Sequence, residues 1–179
     1  MTAPQLAPGQ VIASKYTVRA PLGYGGATAT YAAVLAPSRE VAVKLFSPQL
    51  AQRPDVVAIV HQAANAARSL PPECTSPIVE AGFDPQTGSA LVVTDLVPRP
   101  SLLAQIAQGG PLQPPDAVSM VQGVARAVDP MHAQGVVHGG LKPRNVFVEP
   151  GRGVLVVDFG VYAARAVVPT HEGWSLAAA

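Results

Sequence analysis

The sequence predicts an α+β fold: an antiparallel sheet of five strands carrying one helix, followed by a mainly helical region. Two observations predict it. Short runs such as KYTVRAPLG, EVAVKLF and SALVVTDLV are rich in strand-forming residues and are bounded by Gly, Pro or Asp turns. Between the third and fourth of these runs, Val56, Ile59, Val60, Ala63, Ala67 and Leu70 recur at three and four positions, the period of one helix face. With 179 residues and 49% hydrophobic content, the chain is long enough for one domain with a real core.

Taken in order, residues 1–14 hold prolines and a glycine without periodicity and are expected to form a flexible lead-in. From Lys15, KYTVRAPLG alternates through Tyr16 and Val18 and stops at the cluster Gly23, Gly25 and Gly26. ATATYAAVL resumes the strand pattern, and a turn at Pro37, Ser38 and Arg39 leads into EVAVKLF. There, alternation puts Val41 and Val43 on one face and Ala42 and Lys44 on the other. The helix that follows Pro54 and Asp55 is ended by Pro71 and Pro72. SPIVEAGFD and SALVVTDLV read as two more strands, joined by the reversal DPQTG.

Further on, PRPSLLAQIAQGGPLQPPD holds a short helix between proline-rich breaks. Asp116 then stands where an N-cap would open a long helix through His132, with Pro130 in its last turn. Beyond Gly135 come the short β-like runs VVH, NVFVE and VLVVDFG, separated by the turns GGLKPR and PGRG.

Composition narrows the function. Twelve basic residues against 11 acidic ones give a net charge of +1, too weak a field to gather nucleic acid. Cys74 is the single cysteine and cannot form an internal disulfide, and the start MTAPQLAPGQ lacks a basic-then-apolar pattern. Cytoplasmic residence is therefore expected. Apolar runs such as VVAIV fall far short of the ~20 residues that span a membrane, so no membrane partner is expected either.

Four segments, in order, carry a resemblance: LGYGGATATY, VAVK at 41–44, HGGLKPRN at 138–145 and VVDFG at 156–160. They resemble landmarks of the bacterial-type serine/threonine protein kinases, over a stretch from about Lys15 to about Arg165. The resemblance implies a protein-kinase-like fold, with 15–97 as the amino-terminal lobe and hinge. It makes 98–165 a partial carboxyl-terminal lobe with the catalytic loop and D-F-G, and 166–179 the start of an activation segment, expected to be mobile.

It also implies roles. Gly23, Gly25 and Gly26 would cover the phosphates of ATP, with Thr28 and Thr30 where a third glycine and a valine are usual. Ala42 and Lys44 would face the nucleotide, Lys44 bonding its phosphates, and Gln62 would stand where a helix glutamate normally pairs with that lysine. Thr94 would be the gatekeeper, Asp95 to Val97 the hinge that meets adenine, and Phe147 the pocket floor. Lys142 would contact the terminal phosphate, while Asn145 and Asp158 would hold Mg2+ through oxygen ligands.

One position departs from the family decisively. Where its members read His-Arg-Asp, this chain reads His138, Gly139, Gly140, so the aspartate that takes the proton from the substrate hydroxyl is replaced by glycine. The missing arginine removes the usual partner of a phosphorylated activation segment. His138 itself is read as a packed core histidine.

The expectation is a pseudokinase that binds ATP and Mg2+ and works as a signalling or protein-interaction module. Two alternatives stay open: an active serine/threonine kinase with a degenerate catalytic loop, and a scaffold that binds no nucleotide. Because the resemblance ends within the activation segment, two expectations stand: the chain is a fragment of a longer protein, or the apolar edge left exposed is covered by an unidentified protein partner or a second copy of the chain.

Overall fold

The structure is a computed structural model and describes residues 2–25, 27–135, 137–149 and 153–158. Its larger sheet is built from β1 (Val11–Ile12), β2 (Tyr16–Gly25), β3 (Thr28–Leu35), β4 (Arg39–Phe46), β5 (Ile78–Asp84) and β6 (Ser89–Asp95). These six strands run antiparallel in the order β1-β2-β3-β4-β6-β5. Alternation assigns the two faces. Tyr31, Val43 and Val93 stand opposite one another across β3, β4 and β6 and enter a core with Ile12, Tyr16, Val18 and Leu91.

The five expected strands are present, and a sixth, β1, arises from the stretch expected to be flexible lead-in. Two residues are too few to show a period, so the pattern could not reveal it. What fixes this segment is packing: Ile12 is fully buried, and the N–H of Ala13 donates to Asp84 Oδ1 at 3.2 Å. Upstream, the Tyr31 hydroxyl donates to the Pro4 carbonyl at 2.6 Å and accepts from the Leu6 N–H at 3.0 Å. Asp84 also accepts from Gln86 N and Thr87 Oγ1, which closes the β5–β6 reversal around Gly88 at φ +66°.

Between β4 and β5 lie α1 (Pro48–Ala51) and α2 (Pro54–Arg68). Ser47 Oγ accepts from Leu50 N, and Pro48, which follows it, brings no N–H in need of an acceptor. Of the stripe read from sequence, α2 buries Val56, Val60, Ala63 and Ala67, with Ala64 buried beside them and Ile59 partly buried; its amino-terminal half packs on Phe46, Leu50 and Val92.

The second region holds α3 (Leu102–Gly109), α4 (Pro114–His132), a 3-10 turn at Pro143–Asn145, and the hairpin of β7 (Val146–Glu149) with β8 (Gly153–Val156). The long helix starts two residues before Asp116. Gln113 is its N-cap, Pro114 and Pro115 fill positions whose N–H groups would be unpaired anyway, and Asp116 lies in the first turn. The two regions share a core in which Ala67 and Leu70 meet Ala127, Met131 and Val156. Gly26, Phe159, Gly160 and the activation segment expected at 166–179 lie outside the described residues.

Candidate functional site

Strand register builds one wall of a cleft. Lys44 on β4 stands opposite Thr30 on β3 and Val92 on β6, while Ala42 stands opposite Thr94, which in turn faces Ile78 on β5. Since alternate residues share a face, all of these line the same cleft, together with Thr75, Ser76, Ala67, Val157 and Asp158. As β4 is an interior strand, its lysine is not a solvent-facing edge residue. Its side chain is only 10% exposed, and the ammonium forms an ion pair with Asp158 Oδ2. Asp158 holds φ at +68°, a left-handed conformation that turns the chain immediately after β8.

The turn at 138–145 does not line the cleft itself but is bonded to Val157, beside Asp158. His138 is buried, and Gly140 N–H donates to its Nδ1 at 3.1 Å. That leaves Nε2 to carry the proton and to donate to the Val157 carbonyl at 2.9 Å. Burial pushes the imidazole below its ordinary pKa, against the opposing pull of the Val157 carbonyl and of Asp158. The buried Asn145 donates from Nδ2 to the Gly140 carbonyl at 3.0 Å, which assigns its amide oxygen to the other side. Asn145 O in turn accepts from Val157 N at 2.9 Å, tying this turn to the residue before Asp158. Gly140 thus has both backbone groups engaged and no side chain.

The structure thus sets a lysine of the sheet beside an aspartate, and an asparagine turn is bonded to the residue that precedes that aspartate. The family model described as the protein kinase domain matches residues 16–173. This chain belongs to the bacterial-type serine/threonine protein kinase family.

Among curated kinases, it is 33% identical over 150 residues to the serine/threonine-protein kinase PknE of Mycobacterium bovis, covering 83% of this chain and 26% of that one. To AfsK of Streptomyces coelicolor it is 36% identical over 141 residues, covering 78% of this chain and 17% of AfsK. The chain therefore spans about a quarter or less of the length of these relatives. In fold it is similar to the crystal structure of the kinase domain of Mycobacterium tuberculosis PknI, with a TM-score of 0.74 and 24% identity, over 88% of this chain and 64% of that one.

Within this kinase-like cleft the structure brings together Ala42, Lys44, Thr94 and Asp158. Gly23 and Gly25 lie at the β2–β3 hairpin, while Asp95 ends the cleft strand β6 and Val97 follows it, neither lining the cleft. The Asp95 carboxylate is instead paired with Arg39 at 2.7 Å, and its carbonyl accepts from the Ser76 hydroxyl. Phe147 is not among the lining residues. It sits half-buried in β7, bridged through its backbone to Ser101. Lys142 caps the 3-10 turn, its carbonyl accepting from Asn145 N at 2.9 Å.

The expected partner of Lys44 is corrected. Gln62 is exposed on α2, because the phase set by Val56, Val60, Ala63 and Ala67 turns position 62 outward. The α2 residue that lines the cleft is Ala67. Sequence reasoning also missed Thr75 and Ser76, which sit in an irregular connection with no period to read. The one available signal is the small polar run Cys74-Thr75-Ser76 just before a strand.

Proposed function

We propose that this chain is a kinase-like module that binds ATP with Mg2+ in the cleft and acts in signalling or protein interaction without efficient phosphoryl transfer. One observation carries the reading. At position 140, where the family's general base stands, glycine offers only a backbone N–H given to His138 and a carbonyl given to Asn145. Neither can take up a proton from a hydroxyl. Loss of general-base catalysis costs about 10²- to 10⁴-fold in rate.

The residues present fit a magnesium nucleotide. Asp158 and the Asn145 amide supply hard oxygen ligands of the kind Mg2+ takes, and the two are held together through Val157. Lys44 supplies a cation beside them, suited to phosphate oxygens. Lys142, on the same turn as Asn145, would add a second cation. Mg2+ would neutralise phosphate charge. The protein's own contribution is to orient these groups on the sheet and on a turn locked by His138. The glycine-rich hairpin at Gly23, Gly25 and Gly26 would cover the phosphates, and Thr94 to Val97, with Phe147, would border the base.

A cytoplasmic setting fits this reading. Among the described residues, no helix is long and apolar enough to cross a membrane. The module would work through a protein partner or a second copy, not through nucleic acid. One observation favours the scaffold reading instead: the Asp95 carbonyl, which adenine would need, already accepts the Ser76 hydroxyl.

Thermal denaturation with and without Mg2+-ATP tests the proposal, since ligand at 100 times its dissociation constant stabilises by about 2.7 kcal/mol. A raised midpoint with no transfer of labelled phosphate, and transfer gained in Gly140→Asp, is the expected result. No shift at millimolar ATP would favour the scaffold. Transfer by the unaltered chain that is lost in Lys44→Ala would overturn the reading.

A further inference from the structure

The β2–β3 hairpin and the turn at 138–145 approach each other at a place away from Lys44 and Asp158. A Cβ built on Gly23 would lie 3.2 Å from Nη1 of Arg144, so the guanidinium rests against the bare Cα of the glycine-rich hairpin. Arg144 is the middle residue of the 3-10 turn Pro143–Asn145, and its neighbour Asn145 is buried and anchored to Gly140. The base of the side chain is therefore fixed by the anchored turn, while its charged end reaches the hairpin. Contact with an aliphatic Cα consumes none of the five N–H donors of a guanidinium.

We propose that Arg144 selects for phosphate in this site: its guanidinium, bridging the catalytic turn and Gly23, binds the phosphate oxygens of a nucleoside di- or triphosphate lying beneath the hairpin. The inference rests on the nucleotide-binding reading above and adds to it a residue and a preference. Arginine suits the task because its planar fork meets two phosphate oxygens at once and stays charged at every working pH. Gly23 takes part by lacking a Cβ, which lets the fork sit close under the hairpin without displacing the strand. Without a nucleotide the guanidinium sits against Gly23, so the arginine would exchange that contact for charged hydrogen bonds when a nucleotide enters.

Isothermal titration with ADP and with adenosine, on the unaltered chain, Arg144→Ala and Arg144→Glu, tests it. The expected result is that preference for ADP over adenosine falls about tenfold in Arg144→Ala, the size of one charge-assisted contact, and further in Arg144→Glu. Arg144 is exposed, so the unliganded thermal midpoint should hold in both variants and serves as the folding control. An unchanged ADP preference, or parallel losses for ADP and adenosine, would overturn the role of Arg144 while leaving nucleotide binding intact. An unaltered chain that binds neither compound would overturn the nucleotide reading and this inference with it.

Discussion

Gly140 donates its N–H to Nδ1 of His138, and this single bond fixes which imidazole nitrogen carries the proton. With Nε2–H on the Val157 carbonyl, the ring is satisfied only in its neutral form, and burial lowers its pKa accordingly. A group whose folded pKa lies below its unfolded value binds fewer protons when folded. Its stabilising contribution is then complete above the unfolded value, near 6.5, and declines as pH falls through the window beneath it. Urea unfolding should show stability level above about pH 7 and falling below 6.5, with a slope of at most about 1.4 kcal/mol per pH unit. Glu80, held low mainly by the Tyr16 hydroxyl and also by Lys15, adds its own loss only at lower pH. In His138→Gln the decline between pH 6.5 and 5 should vanish.

Helix α4 seats on β8 through a glycine. A Cβ at Gly123 would lie 2.4 Å from Cγ2 of Val154, inside any tolerable contact. Gly123→Ala gains up to about 1 kcal/mol of helix propensity but faces about 1–3 kcal/mol of overpacking, and the close approach decides in favour of the penalty. A lower urea midpoint is expected. Val154→Ala in the same chain should recover most of the loss, because it removes the atoms the new methyl meets.

The amino-terminal segment is held by one hydroxyl. Tyr31 is fully buried, bonds both Pro4 and Leu6, and meets the ring of Tyr24 edge-on at 6.2 Å. Tyr31→Phe keeps the ring and deletes both bonds, leaving two backbone groups without that partner. The loss should be about 1–3 kcal/mol, with residues 2–10 cleaved by protease much faster than in the unaltered chain. Unchanged cleavage would mean that Leu6 and Ala3, packed on the core, suffice alone.

How far the sequence reveals this molecule depends on the kind of signal each residue carries. Lys44 and Asp158 are legible because chemistry fixes their neighbours, VAVK and VVDFG, and the strand pattern places them. The helix stripe on α2 is legible too, but the place given to Gln62 beside Lys44 comes with the family resemblance, and the packed helix turns that residue outward. β1 is illegible at two residues: it pairs with Tyr16 and Thr17 nearby, but what holds the segment is the burial of Ile12 and the bond from Ala13 N–H to Asp84, distant in sequence. Ser76 reaches the site from an irregular connection, where no period tells which way a side chain points.

The ion pair of Lys44 and Asp158 can be weighed by a double-mutant cycle. Lys44→Met keeps the apolar stem that fills the cleft beside Ala42 and Val92, and Asp158→Asn keeps a side chain that tolerates φ +68°. Each variant thus removes charge and little else. Breaking a fully buried pair costs about 3–5 kcal/mol, but Asp158 is 26% exposed, and water at its open side reduces the penalty to roughly 1–2 kcal/mol per single change. The double variant should lose less than the sum of the singles, because neither charge is then left without its partner. Strict additivity in urea unfolding would mean that the contact adds nothing to the unliganded fold. The pairing would then matter only when a phosphate competes for the lysine.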